Sequence, residues 1–145
     1  MFSESVVYGC IRDWPMQDFE RQQARSRHNG GVLGELPHSE TWALLNREMF
    51  SVSPSLDQLS PTSQVIHFAA TYRSVEYEWD CWVKQFEGLL KRLYWSTAVV
   101  HLEAESHGSH RFSWQSESFE LLTPEEQLRI RCVWERESGL NADHS

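Results

Sequence analysis

Residues 97–115 read TAVVHLEAESHGSHRFSWQ, and this stretch decides the fold. Its first half alternates between apolar and polar residues, which is typical of a strand with one buried face. The apolar set of that face is Ala98, Val100, Leu102 and Ala104. Gly108 marks a turn, and the chain returns through Phe112 and Trp114, which again share one face. The stretch therefore predicts a β-hairpin packed on a core.

Three segments outside the hairpin have clear patterns. SVVYGCI at 5–11 and VIHFAATY at 65–72 are short, apolar and rich in β-branched or aromatic residues, which predicts two strands. From Ser74 to about Tyr94 the apolar residues recur at helical spacing, which predicts an amphipathic helix. Its stripe consists of Trp79, Trp82, Val83, Phe86, Leu90 and Leu93.

Four other segments carry weaker signals. We expect a helix over 15–27 with its arginines facing water or a partner, followed by a glycine loop over 30–34. Ser39 predicts the start of a short helix that carries Trp42, Leu45 and Met49 inward. Residues 51–63, with two prolines and five serines, predict an irregular connection. TPEE at 123–126 predicts a final helix with a stripe of Ile130, Val133 and Trp134.

The predicted order of elements is β-α-α-β-α-β-β-α. It indicates an α+β fold, with helices packed on one face of a mostly antiparallel sheet. Neither side of the 51–63 connection is large enough for a domain of its own, so residues 1–145 are expected to form a single domain.

Composition excludes several classes of protein. The chain has 145 residues, is 40% hydrophobic, and carries 21 acidic against 13 basic residues, a formal net charge of −8. This is too apolar for a disordered acidic tail. It is too acidic to favour nucleic acid or an anionic membrane as a partner. The three cysteines form no C-x-x-C pair, and no signal peptide or membrane-spanning run is visible, so a cytoplasmic setting is expected. Cys81 and Cys132 lie in helical patterns, and we expect both to be small buried residues.

The first candidate site is the row His101-x-Glu103-x-Glu105-x-His107, which His110 joins across the turn. Residues two apart on a strand share a face, so imidazoles and carboxylates in this row are candidate metal ligands. Polar residues at alternate positions are also what the wet face of any antiparallel strand shows. A row of four on a flat strand is, moreover, too long for all of them to bind one ion. We therefore predict no metal and no cofactor.

Catalytic motifs are missing from the sequence. There is no G-x-S-x-G elbow, and the glycines at 30–34 lack the lysine and hydroxyl residue of a phosphate-binding loop. Trp14 and Trp42 border loops, where tryptophan often anchors a protein interface. The chain is therefore expected to bind rather than to catalyse.

The acidic excess is concentrated in the second part of the chain. Residues 51–145 carry fourteen acids and eight bases, whereas residues 1–50 carry seven and five. Acids gather at the start of the second helix and on the polar side of the hairpin. Ordinary solubility explains such a charge, and so does a surface that steers a basic partner into contact.

Residues 65–115 also resemble a known group of proteins. A strand at 66–68 is followed by Trp79-x-x-Trp82-x-x-x-Phe86-Glu87-x-Leu89-Leu90, and then by an acidic hairpin that ends in tryptophan. This arrangement resembles the small α+β immunity proteins of bacterial polymorphic-toxin and type VI secretion systems. The resemblance implies a protein without enzymatic activity that binds a cognate toxin, such as a nuclease, and occludes its active site.

The charge pattern and the resemblance together predict a partner-binding surface near the hairpin. The residues predicted to form it are Glu103, Glu105, His107 and His110, with Glu76 and Glu78 from the start of the helix. Two other functions stay open: a small metal-dependent enzyme using the His101–His110 hairpin, and an acidic chaperone or adaptor for a secreted effector. The sequence does not fix the oligomeric state.

Overall fold

A computed structural model describes residues 4–41, 43–52, 64–105, 107–117 and 119–121, together with the backbone of 133–137. Its elements are β1 (Glu4–Arg12), α1 (Phe19–Gly34), β2 (Phe50–Val52), β3 (Val65–Arg73), α2 (Trp79–Leu90), β4 (Thr97–Ala104), β5 (Gly108–Gln115) and β6 (Val133–Glu137). Short 3-10 turns occupy Ser39–Thr41, Arg47–Met49 and Val75–Glu78.

The six strands form one sheet in the order β2-β3-β1-β4-β5-β6, and every neighbouring pair is antiparallel. β1 is a central strand, with β3 on one side and β4 on the other. The α+β prediction and the antiparallel sheet are therefore confirmed.

The core lies between one face of this sheet and α2. Along β4 the apolar residues of the predicted stripe are buried and the intervening ones are partly or fully exposed, as the alternation predicts. α2 places Trp82 and Phe86 on this face, where the ring of Phe86 lies 5.5 Å from Phe68 and 5.1 Å from Trp114. Trp114 also donates a hydrogen bond from its indole nitrogen to Glu87, at 2.8 Å. The tryptophan-rich helix is thus tied to the hairpin by ring packing and by one polar contact.

The predicted bounds of the second helix need a small correction. The α-helix begins at Trp79 and ends at Leu90, and residues 75–78 form a 3-10 turn before it. Ser74 adopts a left-handed backbone, and its side chain makes no capping hydrogen bond. Cys81 is exposed, so the prediction that it is buried is wrong. It lies next to the buried Trp82 and therefore projects from the outer side of α2. Cys132 lies outside the described residues.

The first helix differs more from its prediction. It begins at Phe19, because the side chain of Asp18 caps it by accepting a hydrogen bond from the backbone N–H of Arg21. It then continues through the glycines at 30, 31 and 34, so the predicted loop over 30–34 is wrong. Each glycine costs a helix about 1 kcal/mol relative to alanine. Val32 and Leu33 offset that cost, because both pack into the core from this last turn.

A buried polar layer explains why α1 keeps its position. Asn29 is fully buried and donates from its amide to Gln64 Oε1 and to the carbonyl of Tyr94, both at 2.9 Å. Its Oδ1 accepts from the backbone N–H of Tyr94 at 2.8 Å. Arg25, expected to face water or a partner, is instead buried and pairs with Asp13. These contacts fix α1 to the chain that leaves β1, enters β3 and enters β4.

The segment between α1 and β3 is less helical than predicted. Instead of one helix from Ser39, the chain makes two 3-10 turns, although Leu45 and Met49 do point inward. Residues 51 and 52 belong to β2 and pair with β3, so the irregular connection begins later than predicted. Trp42 and residues 53–63 lie outside the described residues.

The last described element is a strand and not a helix. Residues 133–137 pair with β5, with Trp134 opposite Phe112 and Arg136 opposite His110. The predicted helical stripe through Val133 and Trp134 is therefore wrong, because pairing with the outer edge of β5 overrides the local pattern. The predicted helix start at Thr123 lies outside the described residues. Among the helices that the structure describes, none has the length and apolar character needed to cross a bilayer.

Candidate partner-binding site

The strand register gathers acidic side chains at one end of the sheet. At this end β1 begins, β3 and β4 finish, and β5 begins, so that Glu4 lies opposite Arg73 and Glu103 lies opposite both Val6 and Ser109. The turn after β4 carries Glu105, and the 3-10 turn after β3 carries Glu78 at its last position. We call this the acidic end of the sheet and define it by Glu76, Tyr77, Glu78, Glu103, Glu105, His107 and His110.

The structure brings the helix start and the hairpin turn together, as the prediction required. The rings of Tyr77 and His107 meet edge to face, with their centroids 5.4 Å apart. Glu76 Oε2 lies 3.8 Å from His107 Nδ1. Because these residues are thirty positions apart in sequence, only the antiparallel sheet makes them neighbours.

Glu76 has a different environment from the other acids. Its side chain is 3% exposed, and it faces His107 from beneath. Glu78, Glu103 and Glu105 are exposed, and so is His107. Glu76 is therefore a structural neighbour of His107, whereas the exposed carboxylates are accessible to a partner.

His110 belongs to the framework of the turn. It is half-buried at the start of β5, and its Nε2 lies 2.7 Å from the carbonyl oxygen of His107. This hydrogen bond joins the start of β5 to the turn that precedes it. It holds the backbone of His107 in place and so fixes the ring against Tyr77.

Tyr77 is the residue that the sequence analysis missed. Its side chain is 72% exposed, the most of any large apolar residue in the described ranges. It lies inside the stretch read as an amphipathic helix, but off the apolar stripe, so periodicity gave no reason to select it. The available signal was an aromatic residue flanked by two glutamates at a helix start.

The candidate metal ligands do not converge. β4 ends at Ala104, so Glu105 and His107 lie in the turn rather than on the strand face of His101. The ring of His101 stacks on Tyr8 instead, with centroids 4.8 Å apart and planes 12° from parallel. Nowhere in the part of the chain that the structure describes do three histidine, cysteine or acidic side chains form a group able to hold a metal ion.

Two side chains elsewhere have clearly shifted pKa values. The pKa of Glu48 is lowered mainly by a hydrogen bond that its Oε1 accepts from the backbone N–H of Ser39, at 2.6 Å. A hydrogen bond with His38 lowers it further. Burial raises the pKa of Tyr72, against the opposing effect of a hydrogen bond from Trp82. Neither belongs to the acidic end of the sheet, and both have structural partners.

Trp14, a predicted interface anchor, is half-buried, with its ring centroid 6.4 Å from that of Phe119. It packs inside the molecule beside α1 and not at the acidic end.

No family model, curated protein or solved structure gives a significant match to the chain.

Proposed function

We propose that this protein is an immunity protein, which binds a cognate bacterial toxin in the cytoplasm and neutralises it by occluding the active site of the toxin. The observation that carries the proposal is the exposed Tyr77, whose ring contacts that of His107 at the end of the sheet where Glu78, Glu103 and Glu105 are also exposed. The proposed contacts are Tyr77, Glu78, Glu103, Glu105 and His107, with Glu76 and His110 positioning His107.

The central aromatic supplies affinity in this proposal. Tyrosine is among the residues that contribute most to protein interfaces, because a large rigid ring buries much area at a small cost in side-chain entropy. A tyrosine that a monomer leaves 72% exposed gains that burial only from a partner. The contact with His107 restricts the ring before binding, which lowers the entropy that binding has to overcome.

In this proposal the exposed acids increase the rate of association and the specificity for a basic partner. Exposed charges near an interface accelerate association with an oppositely charged partner, and the effect weakens as salt rises. A toxin that cuts nucleic acid needs a basic cleft to hold phosphates. An acidic surface that covers such a cleft competes directly with the substrate, so a nuclease toxin suits this charge pattern best.

The proposal is tested by purifying the protein that a pull-down from the native cell recovers and measuring its association rates in low and high salt. The Glu103→Lys/Glu105→Lys variant should associate about tenfold or more slowly in low salt, and the difference should shrink in high salt. The control is Glu20→Lys/Glu117→Lys, which makes the same charge change at two exposed acids. Glu117 follows β5 at the end opposite to the hairpin turn.

The role of Tyr77 has a separate test. Tyr77→Ala should raise the dissociation rate about thirtyfold, the equivalent of about 2 kcal/mol at a central interface residue. Its unfolding transition should stay close to that of the wild type, because the ring is exposed. Equal association of the two charge variants, together with an unchanged dissociation rate for Tyr77→Ala, would remove the acidic end of the sheet as the binding surface.

A further inference from the structure

A cleft of about 920 Å³ lies beside the acidic end of the sheet, between the edge of β3 and the chain at 39–46. Its floor is formed by small and apolar side chains from both sides, including Ala43, Leu44 and Ala70. Glu4 and Glu78 line it, together with Arg73. Since Glu78 also belongs to the acidic end, the cleft and that surface are continuous.

The edge of β3 in this cleft has no strand beside it within the described ranges. β2 pairs with β3 only from Ile66 to Phe68, whereas β3 continues to Arg73. β1 covers the opposite edge along the whole of β3. Four residues of β3, at positions 70–73, line the cleft over about 13 Å at 3.3 Å per residue.

One contact shows toward which edge of β3 the backbone N–H and C=O groups of each residue point. Ser5 lies opposite Tyr72, and its hydroxyl donates to the carbonyl of Tyr72 at 3.5 Å, so that carbonyl faces β1. Backbone groups of successive residues in an antiparallel strand alternate between the two edges. The N–H and C=O of Ala69 and Thr71 therefore point away from β1, and of these two residues only Thr71 lines the cleft. Both residues are exposed.

We infer that this cleft receives an extended, basic segment of the partner, which pairs with the outward edge of β3 at Thr71 as an added strand. The inference rests on the proposed function in one respect, that the ligand is another protein. Strand addition obtains affinity from main-chain hydrogen bonds and specificity from alternate side chains. Alternate apolar residues of the segment would contact Ala70 and Leu44, and its lysine or arginine residues would meet Glu4 and Glu78.

The charged side chains that line the cleft determine whether a cationic or an acidic segment is favoured there. Two carboxylates and one guanidinium line the cleft, and the acidic end adjoins it. Glu4 lies opposite Arg73 in the strand register, so that arginine has a neighbouring acid on its own sheet. The field along the edge is therefore negative near Glu78, which favours a cationic segment over an acidic one.

The probe is a capped heptapeptide of alternating lysine and valine, titrated into the full-length, isotope-labelled protein and followed by amide NMR. We expect the amide signal of Thr71 to shift, and its hydrogen exchange to slow. The same peptide with glutamate in place of lysine should bind about tenfold or more weakly. A version N-methylated at alternate residues, which lacks the donors needed for pairing, should lose binding.

A matched pair of variants tests the edge itself. Thr71→Pro removes the N–H that points into the cleft, and proline is tolerated where a strand N–H faces solvent. Thr71→Ala removes the same side chain and keeps the N–H. Peptide binding should fall about tenfold or more in Thr71→Pro relative to Thr71→Ala, as expected for a lost main-chain hydrogen bond.

Three results would overturn the inference: equal binding of the methylated peptide to the wild type, shifts centred away from Thr71, or concentration-dependent dimerisation that protects this edge. The last result would assign the edge to a second copy of the chain. Because the heptapeptide replaces the partner, these outcomes do not depend on the toxin. Conversely, loss of toxin binding in the charge-reversal variant tests the acidic end and leaves the peptide result unchanged.

Discussion

The guanidinium of Arg25 and the carboxylate of Asp13 form a two-point ion pair inside the protein. Arg25 donates from Nε to Oδ2 at 2.9 Å and from Nη2 to Oδ1 at 2.8 Å, and the two side chains are 5% and 3% exposed. A third donor of Arg25, Nη1, reaches the carbonyl of Phe119 at 2.8 Å, and the guanidinium lies 4.1 Å from the ring centre of Tyr94. One arginine on α1 therefore joins β1, β4 and the chain that leaves β5.

Truncating this arginine should be strongly destabilising. Arg25→Ala leaves Asp13 buried without its counter-charge, and we expect it to lower the free energy of unfolding by about 3–5 kcal/mol. Arg21→Ala is the control, because Arg21 pairs with Glu120 at 3.0 Å but both side chains are more than half exposed. That change should cost less than about 1 kcal/mol. Urea denaturation measures both, and equal losses would contradict a structural role for the buried pair.

Tyr72 links the core helix to the chain at 39–49 through its hydroxyl group. The hydroxyl donates to the carbonyl of Leu44 at 2.5 Å and accepts from the indole N–H of Trp82 at 3.1 Å. Tyr72→Phe leaves both groups without this partner, so we expect a loss of about 1–3 kcal/mol in denaturation experiments near neutral pH. Tyr77→Phe, at an exposed ring, should change stability by less than about 0.5 kcal/mol.

The raised pKa of Tyr72 adds a pH signature to the same variant. Burial favours the neutral phenol in the folded state, so its contribution to stability is fully present below the ordinary value of 10.0 and is lost as pH rises through the raised folded pKa. The wild type should therefore lose more stability than Tyr72→Phe between pH 8 and pH 11. Parallel losses would show that ionisation of Tyr72 is not coupled to unfolding.

Glu48 should contribute stability in the opposite pH direction. Its pKa is lowered by the N–H of Ser39 and by His38, so its contribution is present above the ordinary value of 4.5 and lost as pH falls through the lowered folded value. Glu48→Gln should lower Tm at pH 7 and have a smaller effect at pH 3. Glu40→Gln, at an exposed acid in the neighbouring turn, is the control for the change in net charge.

The glycines of α1 offer a test of the helix itself. A Cβ added at Gly30 or Gly31 meets no atom within 4 Å, so alanine at either position should stabilise the protein by up to about 1 kcal/mol. A flexible loop would give no such consistent gain. Gly9→Ala is the contrasting variant, because its Cβ would lie 1.9 Å from the carbonyl oxygen of Val99. We expect that variant to lose stability or to fail to fold, and Tm comparisons decide both cases.

Most of the sheet was predictable because its strands carry their own pattern. β1, β3, β4 and β5 all match apolar or alternating runs, and α2 matches its apolar stripe. Contacts between segments far apart in the sequence could not be predicted from local patterns. The strand at 133–137 depends on the edge of β5, and the last turn of α1 depends on bonds from Asn29 to Gln64 and Tyr94. Local composition favoured a different structure in each case.

The candidate site was predictable in part for the same reason. Alternation along β4 identified Glu103, and the turn signal at Gly108 identified the loop with Glu105 and His107. The exposed aromatic at its centre was not identified, because Tyr77 interrupts no pattern. The position of the cleft beside β3 depends on where β2 ends, and a three-residue strand leaves almost no trace in a sequence.

The central position of β1 has a consequence for biosynthesis. Among the described strands it is the earliest in sequence, and its Ile11 lies opposite Ile66 on one edge and opposite Ala98 on the other. The β3 edge stays open until Arg73 has been made and the β4 edge until Ala104 has been made, and pairing over such distances in sequence is slow. Native packing of β1 on both edges is therefore completed only after translation of β4.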